Sequence, residues 1–225
     1  MEVLLKMLDF CDGKHLSPLY RYEWNIPRWE NEQWTPGAWT APVTEFGYHL
    51  FRPHEVIYFD MQRPLELYLA EGQRPVVDEH TVFPSYETTR LLRPLPFYNS
   101  WWLQAVSNEI MQALLANVTD DKLRSDLIEI RAGQWPQEVI EQCAIRPLAQ
   151  RDYVSTAYYQ AFLSLGRGCP QSAEGRVDHT WAIGLHNPTD KSWSPELMTI
   201  SDTIRGIFTA RLNGGIEQAL AISVI

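Results

Sequence analysis

Four tryptophans recur at every fifth position: Trp24, Trp29, Trp34 and Trp39. A step of five matches neither the helical nor the strand period. The segment therefore reads as a looping one whose indoles fold back to fill a core or line a groove. An indole carries a large apolar area and a single N–H donor, which suits either a structural plug or a surface that holds a ligand or partner. His49, within Phe46-Gly-Tyr-His-Leu-Phe51, has the same two readings. Among apolar neighbours an imidazole either bonds a backbone carbonyl or touches a ligand. These five side chains are the candidate binding residues.

Other chemistry is thinly represented. His49, His54 and Glu55 lie close together, but their spacing crosses Pro53 and makes no helical pair. Cys169, His179 and His186 share one segment, without a CxxC or HExxH pattern. Neither group has the ligand spacing of a zinc site, and no metal is expected. There is no GxSxG, no Walker glycine loop and no GxGxxG, which disfavours a serine hydrolase, a P-loop ATPase and a Rossmann dehydrogenase. Gly166-Arg167-Gly168 reads as a helix C-cap and Asp120-Asp121 as a helix N-cap.

The background is that of an ordinary globular chain of 225 residues, 45% apolar and 21% charged. The formal charge of −9 is spread along the sequence rather than blocked. No basic face is large enough for phosphate backbones to drive binding, so nucleic acid is disfavoured, whereas an acidic surface can meet a basic protein groove. Cys11, Cys143 and Cys169 are distant from one another and odd in number, which suits free thiols in a reducing cytoplasm. No apolar run approaches the roughly 20 residues of a membrane span. The apolar start, interrupted by Lys6 and Asp9, reads as a strand or short helix of the fold rather than a signal peptide.

The elements that must position these residues fall into two parts. Residues 1–96 hold ten of the 15 prolines, at about ten-residue spacing, which forbids long helices. Between them stand short strand-forming runs: Leu19 to Tyr22, Val56 to Phe59, Leu65 to Leu69 and Thr88 to Leu92. From Tyr98 the apolar residues take helical spacing. Asn99 and Ser100 open a first helix, and Thr119-Asp120 cap a second that stops near Gly133. Pro136 suits the first turn of a third, and Pro147 opens a fourth that ends at Gly166. Residues 167–194 read as a long loop, with a strand over His179 to Leu185. Ser194-Pro195-Glu196 begins a last helix that stops at Asn213-Gly214. The fold class expected is α+β: a small irregular mixed or antiparallel β-domain over 1–96, then a helical bundle over 97–225.

Two resemblances follow from the first part. The series Trp34-Thr-Pro-Gly37-Ala-Trp39, Gly47-Tyr48-His49, Leu67-Tyr68-Leu-Ala-Glu71-Gly72 and Thr89-Arg90-Leu91-Leu92-Arg93 resembles an uncharacterised domain of bacterial and phage proteins, over about residues 15–96. The order Tyr20-Arg21, Gly47-Tyr48, Tyr58-Phe59 and Tyr68-Leu-Ala-Glu71-Gly72 is distantly similar to the ADP-ribosyltransferase fold. That similarity implies NAD as cofactor, with Arg21 positioning it, Tyr48 or Tyr58 stacking the nicotinamide, and Glu71 holding the ribose hydroxyl. The Ser-Thr-Ser element of that fold is missing, and Arg21 is not followed by glycine. The leading expectation is thus a non-enzymatic interaction or accessory protein of bacterial or phage type. It needs no cofactor, binds another protein and is open to self-association. An ADP-ribosyltransferase-like enzyme and a structural subunit of a larger assembly are the alternatives.

Overall fold

The computed structural model describes residues 2–18, 21–43, 46–58, 65–77, 83–184 and 194–221, with 181–184 as backbone. The fold is α+β, a curled antiparallel sheet followed by helices. The chain separates into two compact units. One comprises Met1–Val56, Arg63–Asn99 and Leu212–Ile225, the other Ile57–Gln62 and Ser100–Arg211.

The first unit is built on strands β1 (Leu4–Cys11), β2 (Lys14–Leu16), β3 (Arg28–Glu30), β4 (Gln33–Thr35), β5 (Tyr48–His49), β6 (Glu66–Val76) and β7 (Ser85–Pro94). Five of them form an antiparallel half-barrel in the order β2-β1-β6-β7-β5, while β3 and β4 make a separate hairpin. Alternation places Leu4, Lys6 and Leu8 of β1 on one face, and that face packs with Trp24, Tyr48, Leu50, Tyr68, Ala70 and Leu91. A free edge on β7 would invite pairing with another chain. Residues 37–43 and Leu50 cover it, through Gly37 N–H to Leu91 O (2.9 Å), Thr40 N–H to Thr89 O (2.9 Å), Val43 N–H to Glu87 O (3.0 Å) and Leu50 N–H to Pro84 O (2.9 Å). Gly72 is required where it stands, since a Cβ there would lie 2.2 Å from the Tyr86 ring.

Two strands expected within residues 1–96 are corrected. Val56 to Tyr58 lie in a 3-10 helix, Pro53–Tyr58, and Phe59 is outside the described residues. Pro53 pre-sets the first turn, and the Glu55 carboxylate accepts from the Arg52 backbone N–H at 2.6 Å, so a capped turn wins over strand propensity. Leu19 and Tyr20 are also outside the described residues. Arg21 has φ +54° in a reverse turn closed by Ser17 N–H to Tyr22 O, which brings Glu23 back against Leu16.

The second unit contains helices α1 (Ser100–Asn117), α2 (Asp121–Arg131), α3 (Gln137–Ala149), α4 (Tyr153–Gly166), α5 (Pro170–Gly184) and the greater part of α6 (Pro195–Ala221). Helix α4 is its axis. Every residue from Ala157 to Tyr159 and from Ala161 to Leu165 is buried, the pattern of a helix enclosed on all sides. Asp120 Oδ1 caps α2 by accepting from Leu123 N–H (2.7 Å), as the sequence indicates.

Three helical expectations need correction. Pro147 lies in the last turn of α3, and α4 is opened instead by Asp152, whose Oδ1 accepts from Ser155 N–H at 3.0 Å. Much of residues 167–194 is helix α5, not loop and strand; Leu185 and His186 are outside the described residues. Its inward stripe is Ala173, Glu174, Val177 and Thr180, in which two polar residues interrupt the apolar periodicity. Helix α6 also runs past Asn213-Gly214. Ile216 and Ala219 continue the buried stripe of Leu212, and Gly215 lies against the Phe97 ring, 2.4 Å from where a Cβ would stand. Gly215 thus serves close packing, and the helix does not stop at the expected Asn213-Gly214.

Candidate functional site

The four evenly spaced tryptophans have three different fates. Trp24 enters the half-barrel: it is 4% exposed and its Nε1–H donates to Ser17 Oγ at 2.7 Å. Trp29 and Trp34 face each other across the β3–β4 hairpin as a registered pair, edge to face, with ring centres 5.4 Å apart. Trp34 is half-buried, but Trp29 is 59% exposed, and the other residues from Arg28 to Thr35 are exposed as well. Trp39 is half-buried with the Arg90 guanidinium 4.8 Å above its ring, and Arg90 is in turn ion-paired with Glu71.

The hairpin is held at its base. The Gly37 position lies so close to the Asn25 carbonyl that a Cβ would come within 2.1 Å of that oxygen. Asn31 and Glu32 at the tip both have positive φ, +51° and +61°. The outcome is a short, anchored arm carrying two indoles, with Glu30 and Glu32 beside them.

Inside the half-barrel Trp24, Tyr22 and Tyr48 form a mutual edge-to-face cluster with ring centres 5.1–5.9 Å apart. Lys6 projects into it. Its Nζ stands 4.9 Å from the Trp24 ring centre and donates to the His49 carbonyl oxygen at 2.9 Å. Burial pushes the ammonium down to about 7, because a carbonyl and a ring replace only part of its hydration. Burial likewise pushes the Tyr48 phenol up to about 12. His49 thus contributes its backbone to the site.

The residues implied by the ADP-ribosyltransferase similarity are engaged one by one. Arg21 donates to the buried Asp9 carboxylate at 2.7 Å. Glu71 is held by Arg90. Tyr48 lies in the interior cluster and donates to Ala41 O at 2.9 Å. Tyr58 belongs to the second unit, where the Arg205 guanidinium lies 5.8 Å from its ring centre. The basic, aromatic and acidic candidates are therefore each occupied by a different neighbour.

The second unit holds a polar cluster that sequence reasoning missed. Glu174 of α5 is fully buried, and its Oε1 accepts from Ser201 Oγ (2.7 Å) and Arg205 Nη2 (3.4 Å) of α6. Arg205 also donates to Ser201 Oγ at 2.9 Å. Burial pushes the Glu174 carboxyl up to about 7, against the opposing pull of the Ser201 hydrogen bond. Lys6 had a visible signal, a lone cation inside Leu4-Leu5-Lys6-Met7-Leu8. Glu174 had none once its segment was read as a loop.

Among the described residues no group of three or more His, Cys, Asp or Glu side chains could hold a metal ion, and no helix is long and apolar enough to cross a membrane. The three cysteines are free. In comparisons with protein-family models, with curated proteins and with solved structures, nothing matches this chain.

Proposed function

We propose that this chain is a non-enzymatic interaction protein of bacterial or phage type, acting in the cytoplasm, that binds another protein through the tryptophan hairpin. One observation carries the reading: Trp29 stands 59% exposed on an anchored arm, paired edge to face with Trp34. Exposed aromatic side chains of this kind are the usual anchors of protein interfaces. The surrounding charge selects the partner. Glu30 and Glu32 flank the indoles against one cation, Arg28, and the whole chain carries −9, so a segment bearing lysine or arginine meets both a ring face and a carboxylate. The separate engagement of Arg21, Tyr48 and Glu71 supports a binder over an NAD-consuming transferase, whose catalysis depends on joint placement of those groups.

The test is an array of lysine- and arginine-bearing, neutral and acidic peptides probed with the protein and with Trp29→Ala. Preferential binding of basic peptides, weakened at least about tenfold by Trp29→Ala with unchanged circular dichroism, is the expected result. Equal binding of acidic peptides, or full retention by the variant, refutes it. Self-association in a concentration series that Trp29→Ala abolishes would replace the foreign partner by a second copy. Label transfer from NAD that Glu71→Gln abolishes would establish the enzyme instead.

A further inference from the structure

Among the described residues, four of α6, Met198, Ser201, Asp202 and Arg205, line a cavity of about 310 Å3. Their spacing of three, four and seven puts them on one face of the helix, and the volume lies at the small end of the range of small-molecule sites, roughly 300–1,000 Å3. Two of the four, Ser201 and Arg205, also grip Oε1 of the buried Glu174 from α5. The wall of the cavity is therefore braced from behind by a carboxylate with no exposure to solvent.

The brace is incompletely satisfied in a specific way. Among the described residues, Glu174 Oε2 has no donor and Arg205 Nε has no acceptor, although both atoms are buried. One cluster thus lacks one donor and one acceptor. Asp202 stands 3.9 Å from the Arg205 guanidinium and is mostly exposed, so an anionic and a cationic group sit side by side at the rim. Met198, half-exposed, supplies an apolar wall.

Simple ions fit this arrangement poorly. A metal cation would face the Arg205 charge, and the described residues offer no group of three ligands. A free inorganic anion would meet a guanidinium already shared with Glu174, and the exposed Asp202 carboxylate beside it. A molecule carrying an ammonium and a carboxylate one carbon apart matches the Asp202–Arg205 pair with both charges at once.

We propose that this face of α6 is a binding site for a free α-amino acid with an apolar side chain. Its carboxylate pairs with Arg205, its ammonium with Asp202, and its side chain lies on Met198. This goes beyond the hairpin reading and is independent of it, since it rests on residues of the second unit alone.

The experiment is calorimetric titration of the full chain with L-valine, L-leucine and L-methionine, beside isoamylamine and isocaproate, which each keep only one of leucine's charged groups. At least one amino acid is expected to bind with a Kd below about 1 mM, and each half-analogue at least about tenfold more weakly. Asp202→Asn is expected to weaken amino-acid binding about tenfold or more. Because Asp202 is exposed, that variant keeps its fold where Arg205→Ala, which strips the buried Glu174 of its counter-ion, can lose it. Absence of heat with all three amino acids at about 10 mM, equal binding of isoamylamine, or binding untouched by Asp202→Asn overturns the proposal.

Discussion

Lys6 in the first unit and Glu174 in the second are both single ionisable groups brought inside a core, and burial moves both to about 7 from opposite sides. Their surroundings differ. Among the described residues Lys6 is met by neutral groups, a carbonyl oxygen and an indole face, so its charge is solvated but not balanced there. Glu174 is met by a hydroxyl and a guanidinium, so its charge is balanced but one oxygen lacks a donor among the described residues. A sheet interior with large aromatic rings can cradle a cation through a quadrupole. A helix interface, whose backbone groups are already spent on the helices, must supply side-chain partners instead.

The comparison has a pH signature. The folded-state pKa of Lys6 lies below the ordinary 10.5, so between pH 7 and 10.5 the unfolded chain holds the extra proton and stability rises with pH. The folded-state pKa of Glu174 lies above the ordinary 4.5, so between pH 4.5 and 7 the native state holds the extra proton and stability falls as pH rises. Each tenfold displacement of a proton equilibrium is worth about 1.4 kcal/mol. These two groups together therefore place a minimum of stability near neutrality.

The largest expected effect comes from Trp24→Ala, which removes the ring over Lys6 and leaves a cavity in the half-barrel. The cost is about 3–5 kcal/mol in denaturant unfolding. The Lys6 resonance should then titrate closer to 10.5 as water reaches it; an unchanged titration would mean that the indole does not set the environment of Lys6. Arg205→Ala is expected to cost about 1–3 kcal/mol at pH 8, where Glu174 is left ionised without its counter-ion, and less at pH 5, where the carboxyl takes a proton. A loss equal at the two pH values would show that Arg205 acts through packing alone. The smallest effect is the most discriminating. Lys6→Met should flatten the alkaline limb of stability and gain about 1–2 kcal/mol near pH 6, whereas Glu174→Gln should flatten only the acid limb. Hydrogen exchange at the amides of β1 and α5 assigns each limb to its own unit. One variant flattening both limbs would sink the comparison.

Much of the architecture was legible from local patterns. The prolines of residues 1–96, the cap at Asp120 and the apolar stripe of α4 each act within a few residues of themselves, and the α+β class follows from them. Helix α5 was not legible, because its inward stripe includes Glu174 and Thr180, whose burial depends on Ser201, Arg205 and Gln160 on other helices. The length of α6 was misread for a related reason. Asn213-Gly214 reads locally as a stop, and only the burial of Ile216 and Ala219 beyond it, with Gly215 against the Phe97 ring, shows that the helix continues.

The tryptophans divide the same question most sharply. Their even spacing by itself determined that the segment could be neither a regular helix nor a regular strand throughout, and left open whether the indoles fill a core or line a groove. It could not determine which would be buried. Trp24 follows the turn at Arg21 that folds it onto β2, where its backbone N–H bonds His15 O at 2.9 Å and its ring meets Tyr48. Trp29 stands on a hairpin whose base is fixed by Gly37 against Asn25. A side chain's burial is set by what the rest of the chain brings to it, at sequence separations that local periodicity does not encode, and that was decided by the tertiary structure alone.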